Sequence, residues 1–231
     1  MKTNISNWIV DLGLAALLLP APAALAAAPA GTAAIEQDWR VELYSVPATG
    51  RLTCPLFISS FAIPDVPALF QCTWNHRDVP ILEEGGIQLQ AYKWNNLLDD
   101  REVVTPPWRE KLSNANEVVT WTQRLCRYDL CYVFQVKNIV GTTWGTIPGP
   151  YQVERNFLLW APILEGYSVQ EIADNSGIIM GSNRFKLLSI TQTRFYDRNG
   201  YLLATDPAER VLFAQPPSYE YFELRQLSEC P

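Results

Sequence analysis

The stretch 118–136 carries more structural information than any other in this chain. It reads Val-Val-Thr-Trp-Thr-Gln-Arg-Leu-Cys-Arg-Tyr-Asp-Leu-Cys-Tyr-Val-Phe-Gln-Val. Its two arms are β-branched and aromatic, which suits a pleated, half-buried surface. A four-residue turn at 127–130 would join them and leave Cys126 and Cys131 on its two shoulders. Cysteines facing each other across a short hairpin can reach the Cα separation of roughly 4.4–6.8 Å that a disulfide needs. The stretch therefore predicts a β-rich fold with a staple across a hairpin.

The beginning of the chain bears on whether a staple can form. Lys2 precedes an apolar run from Leu12 to Leu19, and an Ala/Pro-rich segment follows. Ala24-Leu25-Ala26 and Ala26-Ala27-Ala28 both fit small-x-small cleavage. This is the layout of a secretory signal peptide over residues 1–28. A retained membrane anchor is the competing reading. A span needs about 20 apolar residues, and Asp11, Pro20 and Pro22 interrupt this one. Export to a periplasmic, lumenal or extracellular compartment is the expectation, with no membrane span once the leader is removed.

An exported chain makes disulfides the default for Cys54, Cys72, Cys126 and Cys131. The sequence-local pairing is Cys54–Cys72 with Cys126–Cys131, one of three that four cysteines allow. Cys230 is left over, as a free thiol or an intermolecular link. Zinc is the rival use of these residues with His76, but neither pair has Cys-x2-Cys spacing. No metal and no cofactor is expected.

Removing the leader leaves about 200 residues of the 231, enough for one large or two small domains. The net charge is −6 and there is no basic run, so a nucleic-acid partner is disfavoured. Hydrophobic residues make up 48% of the chain, with eight tryptophans, which supports a packed core.

Strand-like runs recur throughout: 39–46, 52–59, 66–74, 87–94, the two hairpin arms, 157–164, 169–173, 178–181, 185–196, 201–205, 211–214 and 219–227. The segment 95–100 is polar and reads as a turn, and 108–116 as one short helical turn. Asp197-Arg198-Asn199-Gly200 is a hairpin turn, because Asn and Gly tolerate positive φ and Asp bonds its own backbone. Many short strands at regular spacing mean a sandwich or barrel. Three glycines and two prolines within 141–150 mark a linker or an extended loop. The expected organisation is all-β: a β-rich domain over 36–140, a linker or loop at 141–151, and an immunoglobulin-like β-sandwich over 152–231.

One part of the chain resembles a known family. The long strand ending Arg194-Phe195-Tyr196-Asp197, the Asn199-Gly200 turn, the return Tyr201-Leu202-Leu203-Ala204-Thr205-Asp206 and the closing Tyr219-Glu220-Tyr221-Phe222-Glu223-Leu224 are similar to the FxLYD domains of bacterial exported proteins. The resemblance covers about residues 185–224. It implies an immunoglobulin-like sandwich and an exported setting, and it brings no catalytic residues.

Residues that could carry chemistry are few. A nucleophile triad would have to use His76, the sole histidine, with Asp78 two residues on, and no Gly-x-Ser-x-Gly turn is present. Glu83-Glu84 and Asp99-Asp100 are adjacent acids of the kind found on solvated turns. Aromatic residues in Pro/Gly-rich segments remain, namely Trp108, Trp144 and Tyr151. They suit protein interfaces, where Trp and Tyr are enriched, or sugar stacking, or they fold back over the ends of the sandwich. The expectation is a non-enzymatic exported protein that binds another protein or assembles at the cell envelope. A carbohydrate-binding module using the loop tryptophans is the first alternative, and a hydrolase the second.

Overall fold

The structure, a computed structural model, describes residues 27–44, 55–63, 68–76, 86–93, 96–104, 112, 116–129, 131–156, 164–169, 175–180 and 184–215. These residues are almost entirely strand and form two antiparallel sheets packed face to face. The all-β sandwich expected from the spacing of the strands is what forms. None of the described residues belongs to a helix long and apolar enough to cross a membrane. Residues 1–26, which hold most of the signal peptide expected over 1–28, and residues 216–231 with Cys230 lie outside the described residues.

The first sheet contains β1 (Ala34–Leu43), β6 (Val118–Tyr128), β7 (Cys131–Gly141), β8 (Gly145–Ile147), β9 (Tyr151–Asn156), β11 (Phe185–Tyr196), β12 (Leu202–Asp206) and β13 (Arg210–Ala214). Its backbone order runs β12–β11–β1–β6–β7–β8. The second sheet has the order β10–β2–β3–β4–β5, from β2 (Leu56–Ile63), β3 (Ala68–His76), β4 (Gly86–Lys93), β5 (Asn96–Val104) and β10 (Gly177–Met180).

Both sheets draw strands from either side of 141–151. β1 lies between β11 and β6, and β10 pairs with β2. The segment itself holds the turn 142–144, β8 and the start of β9.

The two edges of the first sheet are built alike. β8 and β9 both pair with β7, at its far and near ends, so they act as one return strand broken at 148–150. β12 and β13 pair in the same way with the two halves of β11 and are broken at 207–209. Pro148, Pro150 and Pro207 sit in those breaks, and proline cannot donate to a ladder.

Alternation along each strand sets the core. Ile35, Gln37, Trp39 and Val41 of β1 point inward with Val119, Trp121, Gln123 and Leu125 of β6, and Phe57, Ser59 and Phe61 of β2 face them with Phe70, Cys72 and Trp74 of β3. Towards one end Trp39 stacks on Trp121 with ring centroids 5.7 Å apart, and Trp121 meets Trp74 at 4.7 Å. Towards the other, Phe134 meets Phe61 and Phe70, each at 5.9 Å. Between them lies a buried polar layer: Gln37 opposite both Gln123 and Thr193 on one sheet, and Ser59 opposite Cys72 on the other. The indole N–H of Trp39 donates to Gln37 Oε1 at 3.2 Å, and that of Trp121 to Gln123 Oε1 at 3.1 Å. Each glutamine thus satisfies a buried donor two residues away on its own strand.

Several boundaries differ from the sequence reading. The polar residues 96–100 are not a turn but the first part of β5, which lies at the edge of its sheet, where charged sequence is common. β1 begins at Ala34, five residues before the expected strand. By contrast β11 spans the expected 185–196, and the turn after it is closed by Asp197, whose Oδ1 accepts from the backbone N–H of Asn199 and of Tyr201, both at 2.8 Å. Most of 108–116 and of the expected strands at 157–164 and 169–173 lies outside the described residues.

The cysteine staple is not formed. Cys72, Cys126 and Cys131 are free thiols, and Cys54 lies outside the described residues. The reason is register. The hairpin closes with a two-residue turn that has Asp129 at φ 53°, so Tyr128 stands opposite Cys131, and Cys126 stands opposite Val133. A four-residue turn would have put the two cysteines opposite each other. They are instead diagonal across the ladder, where Cα atoms are roughly 7–8 Å apart, beyond ordinary disulfide reach.

Candidate functional site

The aromatics expected to bind do not converge. Trp108 lies outside the described residues. Trp144 sits in the turn between β7 and β8, half-buried, with its indole ring folded across Gly141. A Cβ on Gly141 would lie 2.1 Å from that ring. Glu117, fully buried beneath the turn, accepts from Thr142 Oγ1 and from the Thr143 backbone N–H, each at 3.1 Å, and also from the Thr143 hydroxyl. Trp144 therefore packs against the core as a plug over its own hairpin. Tyr151 opens β9 opposite Val136 and packs against the same core. His76 ends β3, and Asp78 lies outside the described residues.

A different set of residues meets at one corner of the first sheet. Two hairpin tips approach each other there: Arg127–Asp129 between β6 and β7, and 197–200 between β11 and β12. The start of β1 holds them together, because Ala33 accepts from the Arg127 N–H and donates to the Tyr196 carbonyl, both at 2.8 Å. Between the tips lies a cleft of about 170 Å³, floored by Ala33, Ala34 and Cys126 and walled by Arg124, Arg127, Tyr128 and the 197–200 turn. A second cleft of about 130 Å³ adjoins it and shares Ala33, Arg127 and Arg198.

Two guanidiniums converge on Asp129. Arg198 Nη2 lies 2.6 Å from its carboxylate, and Arg127 Nε donates to its backbone carbonyl at 3.1 Å. Arg124, below them, gives its Nε to Cys126 Sγ at 2.9 Å and places its guanidinium 5.2 Å from the centre of the Tyr196 ring. Arg124 also edges a buried charge network on the outer face of the sheet. There Glu36 lies 2.5 Å from Lys137, 2.9 Å from Arg194 and 3.7 Å from Arg124. Burial alone would push the Glu36 carboxyl up, but the three cations outweigh it and hold the group below its ordinary value.

The thiols at this end are not activated. Burial raises Cys126 despite the opposing charge of Arg124. Cys131 is pushed up to about 11, by partial burial and by Glu154, whose Oε1 accepts from Sγ at 3.1 Å. Cys72, fully buried on the inner face of β3, is raised by desolvation. Nucleophilic chemistry wants a lowered thiol, and burial moves all three the other way. Among the described residues no group of three His, Cys, Asp or Glu side chains is placed to hold a metal ion.

The rim of the corner is apolar and open. Tyr128 is 59% exposed on one tip, Tyr201 is 71% exposed beside the other, and Leu202 and Leu203 follow on β12 at 55% and 41%. None of these residues, nor Arg124, Arg127 and Arg198, stood out as a site in the sequence, where they fall in two segments, 124–128 and 198–203, some 70 residues apart. The one local signal is an arginine beside an acid at each hairpin tip, Arg127-Tyr128-Asp129 and Asp197-Arg198.

No protein-family model matches the chain, and no curated protein matches it.

Proposed function

We propose that this is an exported, non-enzymatic β-sandwich protein that docks a protein partner at the corner formed by the β6–β7 and β11–β12 hairpins. The observation that carries the reading is the composition of that corner: exposed Tyr128 on a cleft lined by Arg124, Arg127 and Arg198, with exposed Tyr201, Leu202 and Leu203 following the 197–200 turn that forms its other wall. Tyrosine and arginine are over-represented among residues that dominate binding energy. Exposed apolar side chains gathered at and after such a cleft suit a docking surface. Export rests on the leader-like residues 1–28, and an immunoglobulin-like arrangement on the resemblance of 185–224 to FxLYD domains. The sugar-binding alternative is weaker, because Trp144 lies against Gly141 rather than in the open.

The test is site-specific photo-crosslinking with the full chain in the cells that produce it. A crosslinking residue at position 201 is expected to give one dominant protein adduct that disappears with Leu202→Arg. The same residue at exposed Thr120, on β6 at the far end of the outer face, is the control. No adduct at 201, or the same adducts from 120, would overturn the proposal.

A further inference from the structure

The corner cleft has a charge pattern that narrows what it takes. Its acids are already engaged. Asp197 uses its carboxylate to close its own turn, and Asp129 is paired to Arg198. Arg124 is committed to Cys126, Tyr196 and Glu36. Arg127 lines both clefts, spends Nε on a backbone carbonyl, and has no ion-pair partner among the described residues. Its two terminal amino groups are therefore donors without an acid.

We infer that the paired clefts receive a single carboxylate from an acidic residue of the docking partner's chain, held by Arg127 beside the Arg198–Asp129 pair. The inference rests on the docking reading and names the chemistry of the same site. Three features support it. The Arg127 guanidinium is anchored through Nε on the Asp129 carbonyl, which leaves its two terminal amino groups for fork-like recognition of a planar acid. One unpaired cation matches a monoanion better than a doubly charged phosphate. Ala33, Ala34 and exposed Tyr128 in the cleft lining offer apolar contact to the residue next to the acid, which a free anion would not use.

Nuclear magnetic resonance of the Arg Nε–H groups in the full chain tests it. The probes are acetyl-Gly-Asp-Leu-amide, its Asn counterpart acetyl-Gly-Asn-Leu-amide, and acetate. The Asp peptide is expected to shift the Arg127 and Arg198 signals saturably while Arg40 stays still, and the Asn peptide to leave both unmoved. Arg127→Gln should weaken binding about tenfold or more, and Arg127→Lys should restore part of it, with an unchanged melting temperature excluding a folding defect. Equal shifts from the Asn peptide, parallel shifts at Arg40, or unweakened binding by Arg127→Gln would overturn the inference. Acetate binding as tightly as the Asp peptide would overturn the assignment to a peptide residue. If position 201 crosslinks a partner and Arg127→Gln alters neither readout, the carboxylate falls and docking stands. If the Asp peptide binds as expected but no crosslink forms, docking falls and the anion chemistry of the cleft stands.

Discussion

Arg198 and Asp129 meet at 2.6 Å although they lie 69 positions apart, and their contact joins the tips of two hairpins that Ala33 also bridges. Both side chains are more than three-quarters exposed. An ion pair in that setting is screened and gives back much of its Coulomb energy in side-chain entropy. Arg198→Ala is therefore expected to change unfolding free energy by less than about 1 kcal/mol, measured by urea titration. Any larger loss in partner crosslinking would belong to recognition, not to folding.

Glu36 is the opposite case, a carboxylate with only 9% of its side chain exposed among three cations. Its folded pKa lies below 4.5. A depressed acid contributes stability that is fully present above its unfolded pKa and lost as pH falls through the folded one. The melting temperature of the wild-type chain should thus fall as pH drops below roughly 4.5, and Glu36→Gln should show a shallower fall over that window. At pH 7 the same substitution leaves Lys137, Arg124 and Arg194 without their shared partner and should cost about 2–4 kcal/mol. Calorimetry across pH 7 to about 3 checks both statements, and parallel curves for the two proteins would remove Glu36 from the acid response.

Gly141 is held small by Trp144. Gly141→Ala drives a methyl into the indole ring, and the resulting overpacking should cost about 1–3 kcal/mol. In a Trp144→Ala background the same change should cost almost nothing, since the obstructing ring is gone. A double-mutant cycle by denaturant unfolding measures the coupling, and equal costs in both backgrounds would show that the ring does not lie over the glycine.

The thiols give a chemical check on the hairpin register. Cys131 is half-exposed, whereas Cys72 and Cys126 are buried. Among the three described cysteines iodoacetamide should label Cys131 first in the native protein, slowly at pH 8 and faster as pH approaches its value of about 11. Glu154→Gln removes the neighbouring charge and should speed labelling at pH 8. Peptide mapping without reduction should show Cys126 and Cys131 unlinked, and a linked peptide would mean that the turn is longer than two residues.

How much of this was legible in the sequence depends on how local the signal was. The strand at 185–196 and the turn after it were readable because alternation and an Asp-x-Asn-Gly sequence are both short-range. The cysteine register was not, because it depends on whether the turn has two residues or four, and Asp129 takes the positive φ that a glycine would have announced. β5 was hidden by its charges, which mark an edge as readily as a loop. The corner cleft was invisible because Ala33, Arg124, Arg127 and Arg198 are brought together only by the pairing of β1 with both β6 and β11. Trp144 was visible as an aromatic in a loop, but its direction goes with Gly141, over which its ring lies, and with Glu117, which holds the turn through distant Thr142 and Thr143.

The divided outer strands of the first sheet also limit how copies of the molecule can meet. β12 and β13 each offer five residues, β8 three and β9 six, with proline in each gap. A neighbour trying to extend the sheet sideways loses register at the gap before it has gathered enough backbone pairing to hold. Growth of ribbons through the edges of this sheet is thereby disfavoured. Tyr201, Leu202 and Leu203 stay uncovered beside strands that make poor templates.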